Sequence, residues 1–287
     1  MKQVAIISGK GGTGKSSLAL AFASLAKNAV LADCDVDASN LHIILDPLIL
    51  DTKEFMGMPI ANIDKSKCTH CLKCFFKCKF GAITKDIDVL ESLCEGCKVC
   101  LLVCPADAIQ MEDKVSGYTY VSKTRLGPLV HAYLKPGAEA SGKLVNEVRK
   151  NAIDLSIKEN KDLIIIDGPP GIGCPVISTI TGINLSIIVT EPSFSAIHDL
   201  ERIIEVSKHF GVRSVVCINK SDINTDNTAM IKDYCRKNNV PVAGELPYDP
   251  IVSMAIVSRK TLIELPDSEF SLKIIEIWEK IMDFIED

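Results

Sequence analysis

The chain of 287 residues carries 32 basic and 37 acidic side chains, a formal net charge of −5, and is 47% hydrophobic. This composition supplies ample core but no basic field for a polyanion, which excludes nucleic acid as the main partner. Twelve cysteines are present, no apolar stretch approaches the roughly 20 residues of a membrane span, and only the short run Val4–Ile7 precedes Ser8 where a leader would sit; the expectation is a cytoplasmic protein whose reduced thiols bind metal rather than form disulfides.

In chain order, Val4–Ile7 reads as a short buried strand, Ser16–Lys27 as a helix with apolar Leu18, Leu20, Phe22 and Leu25, and Ala29–Ala32 as a second strand. Between the first strand and the helix, Gly9-Lys10-Gly11-Gly12-Thr13-Gly14-Lys15-Ser16 fits G-x-x-x-x-G-K-[ST], and Ser17 follows it. Glycines at these positions let backbone N–H groups turn inward on phosphates, and the helix N-terminus adds positive potential. Lys15 is expected to reach the β and γ phosphates, with the Ser16 hydroxyl on Mg2+. The acidic stretch Asp33-Cys34-Asp35-Val36-Asp37-Ala38-Ser39-Asn40 follows the second strand.

Eight of the cysteines then lie between Cys68 and Cys104, flanked on both sides by aliphatic, cysteine-poor sequence. That change of character marks an insert over residues 59–117, between a first part over 1–58 and a second over 118–287. The insert repeats internally: Cys68, Cys71, Cys74, Cys78, Ala82 and Ile83 recur with identical spacing as Cys94, Cys97, Cys100, Cys104, Ala108 and Ile109. After it, strands are expected at Leu129–Leu134, Leu163–Ile166, Leu185–Val189, Val212–Ile218 and Val242–Leu246, alternating with helices at Lys143–Glu159, Ile197–Phe210 and Met230–Asn238. The fold class is therefore α/β, a mostly parallel sheet with helices on both faces, carrying a small α+β insert.

The spacing Cys-x2-Cys-x2-Cys-x3-Cys, present twice and followed by Pro105 in the second copy, resembles the bacterial two-cluster ferredoxins. That resemblance implies two [4Fe–4S] clusters, the fourth ligand of each coming from the other half. The implied sets are Cys68, Cys71, Cys74 with Cys104, and Cys94, Cys97, Cys100 with Cys78. Zinc is the competing metal, but a regular third cysteine has no use in a site built from paired C-x2-C turns. One position departs from the ferredoxin pattern: Lys79 stands where a proline usually follows the fourth cysteine.

The second lysine of the phosphate loop, Lys10, makes G-K-G-G-T-G-K-S similar to the deviant Walker A motif of the MinD/ParA and nitrogenase iron protein superfamily of P-loop ATPases. The resemblance implies an ATP-dependent homodimer in which Lys10 reaches the nucleotide held by the other subunit. It implies Asp35 as the residue orienting the attacking water, Asp33 as the neighbouring strand-end acid of the Mg2+ site, and Asn40 at the nucleotide. It also implies Asp167, at the end of Leu163–Ile166, as the Mg2+-side acid, and the Gly171 N–H as the γ-phosphate sensor. Asn219-Lys220-Ser221-Asp222 satisfies the guanine signature N-K-x-D, yet in this family the corresponding Asn contacts adenine and Pro247-Tyr248-Asp249 resembles the second base-contacting segment, so ATP is expected. Together the parts resemble MinD-superfamily ATPases with an inserted ferredoxin domain.

Cys174 follows Asp167 at a spacing similar to that of the cysteine holding the intersubunit cluster of the nitrogenase iron protein. The second such cysteine would fall near Ala140-Ser141-Gly142-Lys143, where none stands, so Cys174 is expected to be a buried small residue. Cys34, Cys217 and Cys235 are expected in the core or on helices. At the end, Ile274, Ile275, Trp278, Ile281, Met282 and Ile285 form an apolar helical face, with Glu276, Glu279, Asp283, Glu286 and Asp287 outweighing Lys273 and Lys280 opposite. Such an acidic face opposes anionic lipid, and the helix is expected on its own domain rather than as a stable membrane anchor.

The combination points to ATP binding and hydrolysis coupled to electron transfer toward a redox or metallocluster protein. The alternative is an iron–sulfur scaffold or assembly chaperone of the MinD/Mrp type.

Overall fold

A computed structural model describes residues 1–138, 141–265 and 268–286. Ala140 and Asp287 and the side chain of Ser141, which entered the reading above, lie outside the described residues. The chain divides into two compact units, one of Met1–Thr52, Thr119–Ala132 and Ser141–Asp287, the other of Lys53–Tyr118 and Tyr133–Ala140. The second unit thus takes in a segment beyond residue 117 that the change in composition does not mark.

The elements run β1 (Lys2–Ser8), α1 (Lys15–Leu25), β2 (Ala29–Asp33), α2 (Leu41–Leu45), β3 (Leu48–Met56), β4 (Ile60–Ile63), α3 (Lys73–Lys77), α4 (Val99–Val103), β5 (Ile109–Glu112), β6 (Val115–Thr124), β7 (Gly127–Leu134), α5 (Ser141–Lys158), β8 (Leu163–Pro170), α6 (Cys174–Ile180), β9 (Leu185–Thr190), α7 (Phe194–His209), β10 (Arg213–Ile218), α8 (Thr225–Lys237), β11 (Val242–Glu245), α9 (Ile251–Val257) and α10 (Glu269–Glu286). The large sheet has the order β11-β10-β9-β1-β8-β2-β7-β6-β3. From β11 to β7 every pair is parallel. The expected mostly parallel α/β sheet is present. Its central strands are continuous aliphatic runs because both faces are covered: Val4–Ile7 and Ile164–Ile166 are essentially inaccessible.

Departures from the expected elements have local causes. Helices α7 and α8 begin ahead of Ile197 and Met230 because Ser193 and Asn224 cap them, accepting from the N–H of Ala196 and Asn227; caps are polar and leave no trace in apolar periodicity. Strand β3 has no counterpart among the expected strands because it ends the sheet order and Leu48–Glu54 is exposed throughout, so it shows no buried face. Strand β8 continues past Ile166 to Pro170, with Ser8 in register with Pro170 and the Gly171 N–H bonded to the Ser8 carbonyl at 2.8 Å.

In the second unit β4 and β5 pair antiparallel, with Ile63 opposite Ile109. Its core joins Ala61, Ile63, Ile83, Ile87 and Ile109 to buried Cys74. The internal repeat is conformational as well as chemical. Helices α3 and α4 occupy equivalent positions in the two copies, and each is preceded by a left-handed residue, Leu72 (φ 58°) and Lys98 (φ 65°). His70 and Gly96 (φ 51° and 61°), and Gly81 and Asp107 (φ 65° and 49°), are likewise left-handed in pairs.

The terminal helix α10 lies on the first unit. Ile274, Ile277, Trp278, Ile281 and Ile285 are buried, and Trp278 stacks on Phe22 of α1 with ring centroids 5.1 Å apart. A side chain at Gly244 of β11 would meet Ile277 at 2.5 Å, so glycine sets how closely this helix approaches. Among the described residues no helix is long and apolar enough to cross a membrane. Trp278→Ala is predicted to cost about 3–5 kcal/mol in denaturant unfolding; a loss below about 1 kcal/mol would show that α10 is not part of this core.

Candidate functional site

The loop between β1 and α1 is built around left-handed glycines, Gly12 (φ 79°) and Gly14 (φ 90°). At Gly14 a side chain would also stand 2.4 Å from Asn219 Nδ2. Asn219, following β10, donates to the Thr13 carbonyl at 2.8 Å, and Lys220 Nζ donates to the Gly12 carbonyl at 3.1 Å. The loop is thereby pinned from the neighbouring strand end. It opens onto a cavity of about 500 Å3 that brings together Gly11 to Ser17, Asp35, Asn40, Asn219, Pro247, Tyr248 and Asp249. These come from five separate places in the chain.

Ala38, Pro170, Lys220 and the α9 residues Val252, Ser253 and Ile256 also line this cavity, and sequence reasoning missed them. The apolar α9 positions have no motif; only their position after Pro247-Tyr248-Asp249 hinted at the site. Asp222 does not line the cavity. Its carboxylate accepts the Tyr248 N–H at 2.6 Å, which ties the two strand-end segments together.

Beneath the loop sits a buried charge cluster. Lys15 Nζ lies 3.1 Å from both Asp35 Oδ2 and Asp167 Oδ1. Burial opposes its charge, but Asp167 and Asp35 outweigh that and hold its pKa above the ordinary lysine value. Asp33 is fully buried, and its pKa is raised to about 7 by burial and by the Asp167 charge. Burial likewise raises Asp167 above the carboxylate range, against the pull of Lys15. Asp33 accepts from the Ser39 hydroxyl at 2.8 Å and from the N–H groups of Asp35 (3.2 Å) and Leu41 (3.3 Å), so it organises the loop from β2 to α2. Asp167 Oδ2 and Thr13 Oγ1 are buried without a hydrogen-bond partner. An acceptor aimed from Asp167 and an unfilled hydroxyl in the phosphate loop fit a hydrated Mg2+ and a phosphate oxygen.

Four expected residues do not line the cavity: Lys10, Asp33, Asp167 and Gly171. Asp33 and Asp167 lie below it in the cluster just described. Lys10 is turned toward Glu191, at 2.6 Å, and Ser193, at 2.9 Å, with Lys220 on the other Glu191 oxygen at 2.9 Å. The Gly171 N–H is held by Ser8 because β8 continues through the Asp-Gly-Pro-Pro segment. Cys174 is exposed at the start of α6, contrary to the expectation that it is buried, because this short helix begins at the surface after Gly173. Cys34, Cys217 and Cys235 are buried.

In the second unit the cysteines surround two separate cavities. One is lined by Cys68, Cys71, Cys74 and Cys104, the other by Cys78, Cys94, Cys97 and Cys100. Each quartet therefore draws three thiols from one repeat and one from the other. The backbone N–H groups of Ala82 and Ala108, equivalent positions of the two copies, point at Cys78 and Cys104 Sγ at 3.3 and 3.4 Å, and the His70 N–H at Cys68 Sγ at 3.4 Å. Among the described residues no three cysteine, histidine or acidic groups could hold a single metal ion. Four thiols spread around an apolar cavity, some with N–H donors at sulfur, fit a cluster that offers each thiolate its own iron, rather than one tetrahedral zinc.

The model of the CobQ/CobB/MinD/ParA nucleotide binding domain matches residues 4–262. The Methanocaldococcus jannaschii protein MJ0578 is 35% identical over 286 residues, covering 99% of this chain and 97% of that protein. The septum site-determining protein MinD of Pyrococcus horikoshii, solved with Mg-ADP, superposes with a TM-score of 0.60 at 18% identity, covering 98% of this chain and 95% of that one. A stretch of 50 residues, 17% of this chain, is 40% identical to pyruvate synthase subunit PorD of Methanothermobacter marburgensis and spans 62% of that subunit.

Because Asp33 keeps its proton in the folded protein until about pH 7 but loses it near pH 4 when unfolded, stability measured without nucleotide is predicted to fall as pH rises from 4 to 7. The loss is on the order of 4 kcal/mol. Asp33→Asn should flatten that slope in urea titrations at fixed ionic strength; an equally steep slope in the variant would rule out Asp33 as its source. Lys15→Ala, which strands the carboxylates, is predicted to cost about 3–5 kcal/mol.

Proposed function

The chain belongs to the CobQ/CobB/MinD/ParA nucleotide-binding family, and on that premise we propose that it is a Mg2+-dependent ATPase, acting as a homodimer, that couples its nucleotide cycle to electron transfer through two [4Fe–4S] clusters. The observation that carries the reading is the crossed assembly of two cysteine quartets in the same chain as a phosphate loop whose lysine is already clamped between two acids. The short likeness to PorD supports the same assignment.

The residues of the first unit then have a sequence of tasks. Lys15 exchanges its two carboxylates for the β and γ phosphates. Asp35, released, is free to orient water, and Asp167 to hold the Mg2+ shell together with the Ser16 hydroxyl. The Gly171 N–H leaves the Ser8 carbonyl to reach the γ-phosphate, and Lys10 leaves Glu191 to reach the nucleotide of a second subunit. The Asn219 side chain and Pro247-Tyr248-Asp249 border the base; Asp222 is engaged by Tyr248, which favours adenine over a guanine-type use of N-K-x-D. When bound, the clusters supply one-electron redox chemistry. In sequence the cysteine unit stands between the Asp35 loop and the Asp167 segment, the two segments proposed to respond to nucleotide.

Anaerobically prepared protein is predicted to contain about eight iron and eight acid-labile sulfide per chain; stoichiometric zinc without sulfide would end this reading. Lys10→Ala should bind one nucleotide per chain yet fail to dimerise with a non-hydrolysable ATP analogue in light scattering, whereas Asp35→Ala should retain ATP and stay dimeric. Redox titration with and without the analogue should show coupling of about 1–3 kcal/mol, where 1.4 kcal/mol corresponds to about 59 mV for one electron. Loss of whole clusters to an apo-acceptor, with potentials indifferent to nucleotide, would instead identify a scaffold.

A further inference from the structure

The two halves of the cysteine unit share a backbone but not a surface. From Lys65 to Lys85 there are six lysines (65, 67, 73, 77, 79 and 85) and no carboxylate, whereas Asp86 to Asp113 holds seven carboxylates and one lysine. All six lysines are exposed. Lys65 pairs with Asp88 and Lys67 with Asp64, while among the described residues Lys73, Lys77, Lys79 and Lys85 enter no ion pair. On and just after α3, Lys73, Lys77 and Lys79 accompany two exposed aromatics, Phe76 (75% exposed) and Phe80 (46%). The repeat supplies an internal control. At the equivalent positions of the second copy stand Val99, Val103 and Pro105, so the cluster-binding backbone does not call for lysine there. Lys79, the departure from the ferredoxin pattern, belongs to this set.

Unneutralised lysines cost self-repulsion, and exposed phenylalanines cost hydration, so the patch marks a contact surface. Its reach is small, because the five residues of α3 span about 7.5 Å, and the seven carboxylates from Asp86 to Asp113 belong to the same small unit. A long polyanion or a flat anionic bilayer would meet those carboxylates as well. A compact protein face would not. Cys71, beside α3, is exposed, which sets a cluster ligand next to the contact.

We propose that the α3 surface, Lys73, Phe76, Lys77, Lys79 and Phe80, docks an acidic electron-transfer protein at the cluster site of Cys68, Cys71, Cys74 and Cys104, whose cavity Lys73 lines, while Phe80 lines the cavity of Cys78, Cys94, Cys97 and Cys100. This deepens the redox reading and rests on it. In the transfer one electron leaves the reduced centre of one protein and enters the oxidised cluster of the other, with no atom exchanged. Lysines steer the encounter and the aromatics supply the apolar contact, as in small, weak redox interfaces.

The probe is a strongly acidic two-cluster ferredoxin, used dye-labelled for affinity and, after chemical reduction, in stopped flow with the full-length protein. At about 50 mM salt the triple variant Lys73→Glu, Lys77→Glu, Lys79→Glu is expected to lower affinity and the second-order transfer rate roughly tenfold or more, and the difference should shrink toward none at high salt. The milder Lys→Gln triple should fall between, and Leu102→Glu, on the exposed side of α4 and outside both cysteine cavities, should leave both unchanged. Iron and sulfide are assayed on every variant. A full cluster complement with lysine-independent binding would overturn the docking surface alone, while wild-type protein without sulfide would overturn the redox reading and this surface with it. Tighter lysine-dependent binding to phosphatidylserine vesicles or to an oligonucleotide, or lysine-dependent self-association in sedimentation, would assign the patch to another occupant and overturn the proposal.

Discussion

A single buried ammonium organises the nucleotide unit. Lys15 sits 3.1 Å from two carboxylates, Asp35 in the loop after β2 and Asp167 on β8, with a third, Asp33, buried beside them. Burial, and after it the neighbouring Asp167 charge, hold a proton on Asp33 to about pH 7, and three acids around one base leave the cluster with an excess of acidic groups. The same excess suits the site to a divalent cation, and Asp167 presents an unpartnered buried oxygen for one. The central parallel strands bring these groups together: Asp33, at the end of β2, is in register with Asp167 of the neighbouring β8, and Lys15 opens the helix that follows the strand on the far side of Asp167.

Around that cluster, the groups proposed to sense nucleotide are occupied. Lys10 is held by Glu191 and Ser193, and the Gly171 N–H by Ser8. In the proposed cycle each contact would be exchanged for a better one with nucleotide or with a second subunit, a competition of hydrogen bonds and ion pairs that only differential affinity for the two arrangements can shift. Lys220 contributes to both sides, since its ammonium touches the phosphate loop and Glu191 at once.

The cysteine unit solves a different problem. A small unit with a thin core would gain stability from the proposed clusters, and drawing one thiol of each quartet from the other repeat ties the two halves together. The backbones of the two halves are equivalent down to paired left-handed residues, Leu72 with Lys98 and Gly81 with Asp107. The surfaces are where the halves differ, and those differences are free to serve partners.

Much was legible in the sequence because its chemistry is local. A phosphate loop is one contiguous turn whose glycines are dictated by backbone angles, and the regular cysteine spacing of two copies already grouped the thiols into the quartets that line the two cavities, so both could be read from consecutive residues. Buried parallel strands announce themselves as aliphatic runs for the same reason. Other features depend on what lies across from a residue, and sequence spacing holds no such information. The edge strand β3, the polar caps of α7 and α8, the α9 wall of the cavity, the tie between Asp222 and Tyr248, and the exposure of Cys174 were all decided by tertiary structure. So was the position of Lys10: the motif supplied its charge, but only the fold brought Glu191, from the far end of β9, to within 2.6 Å of it.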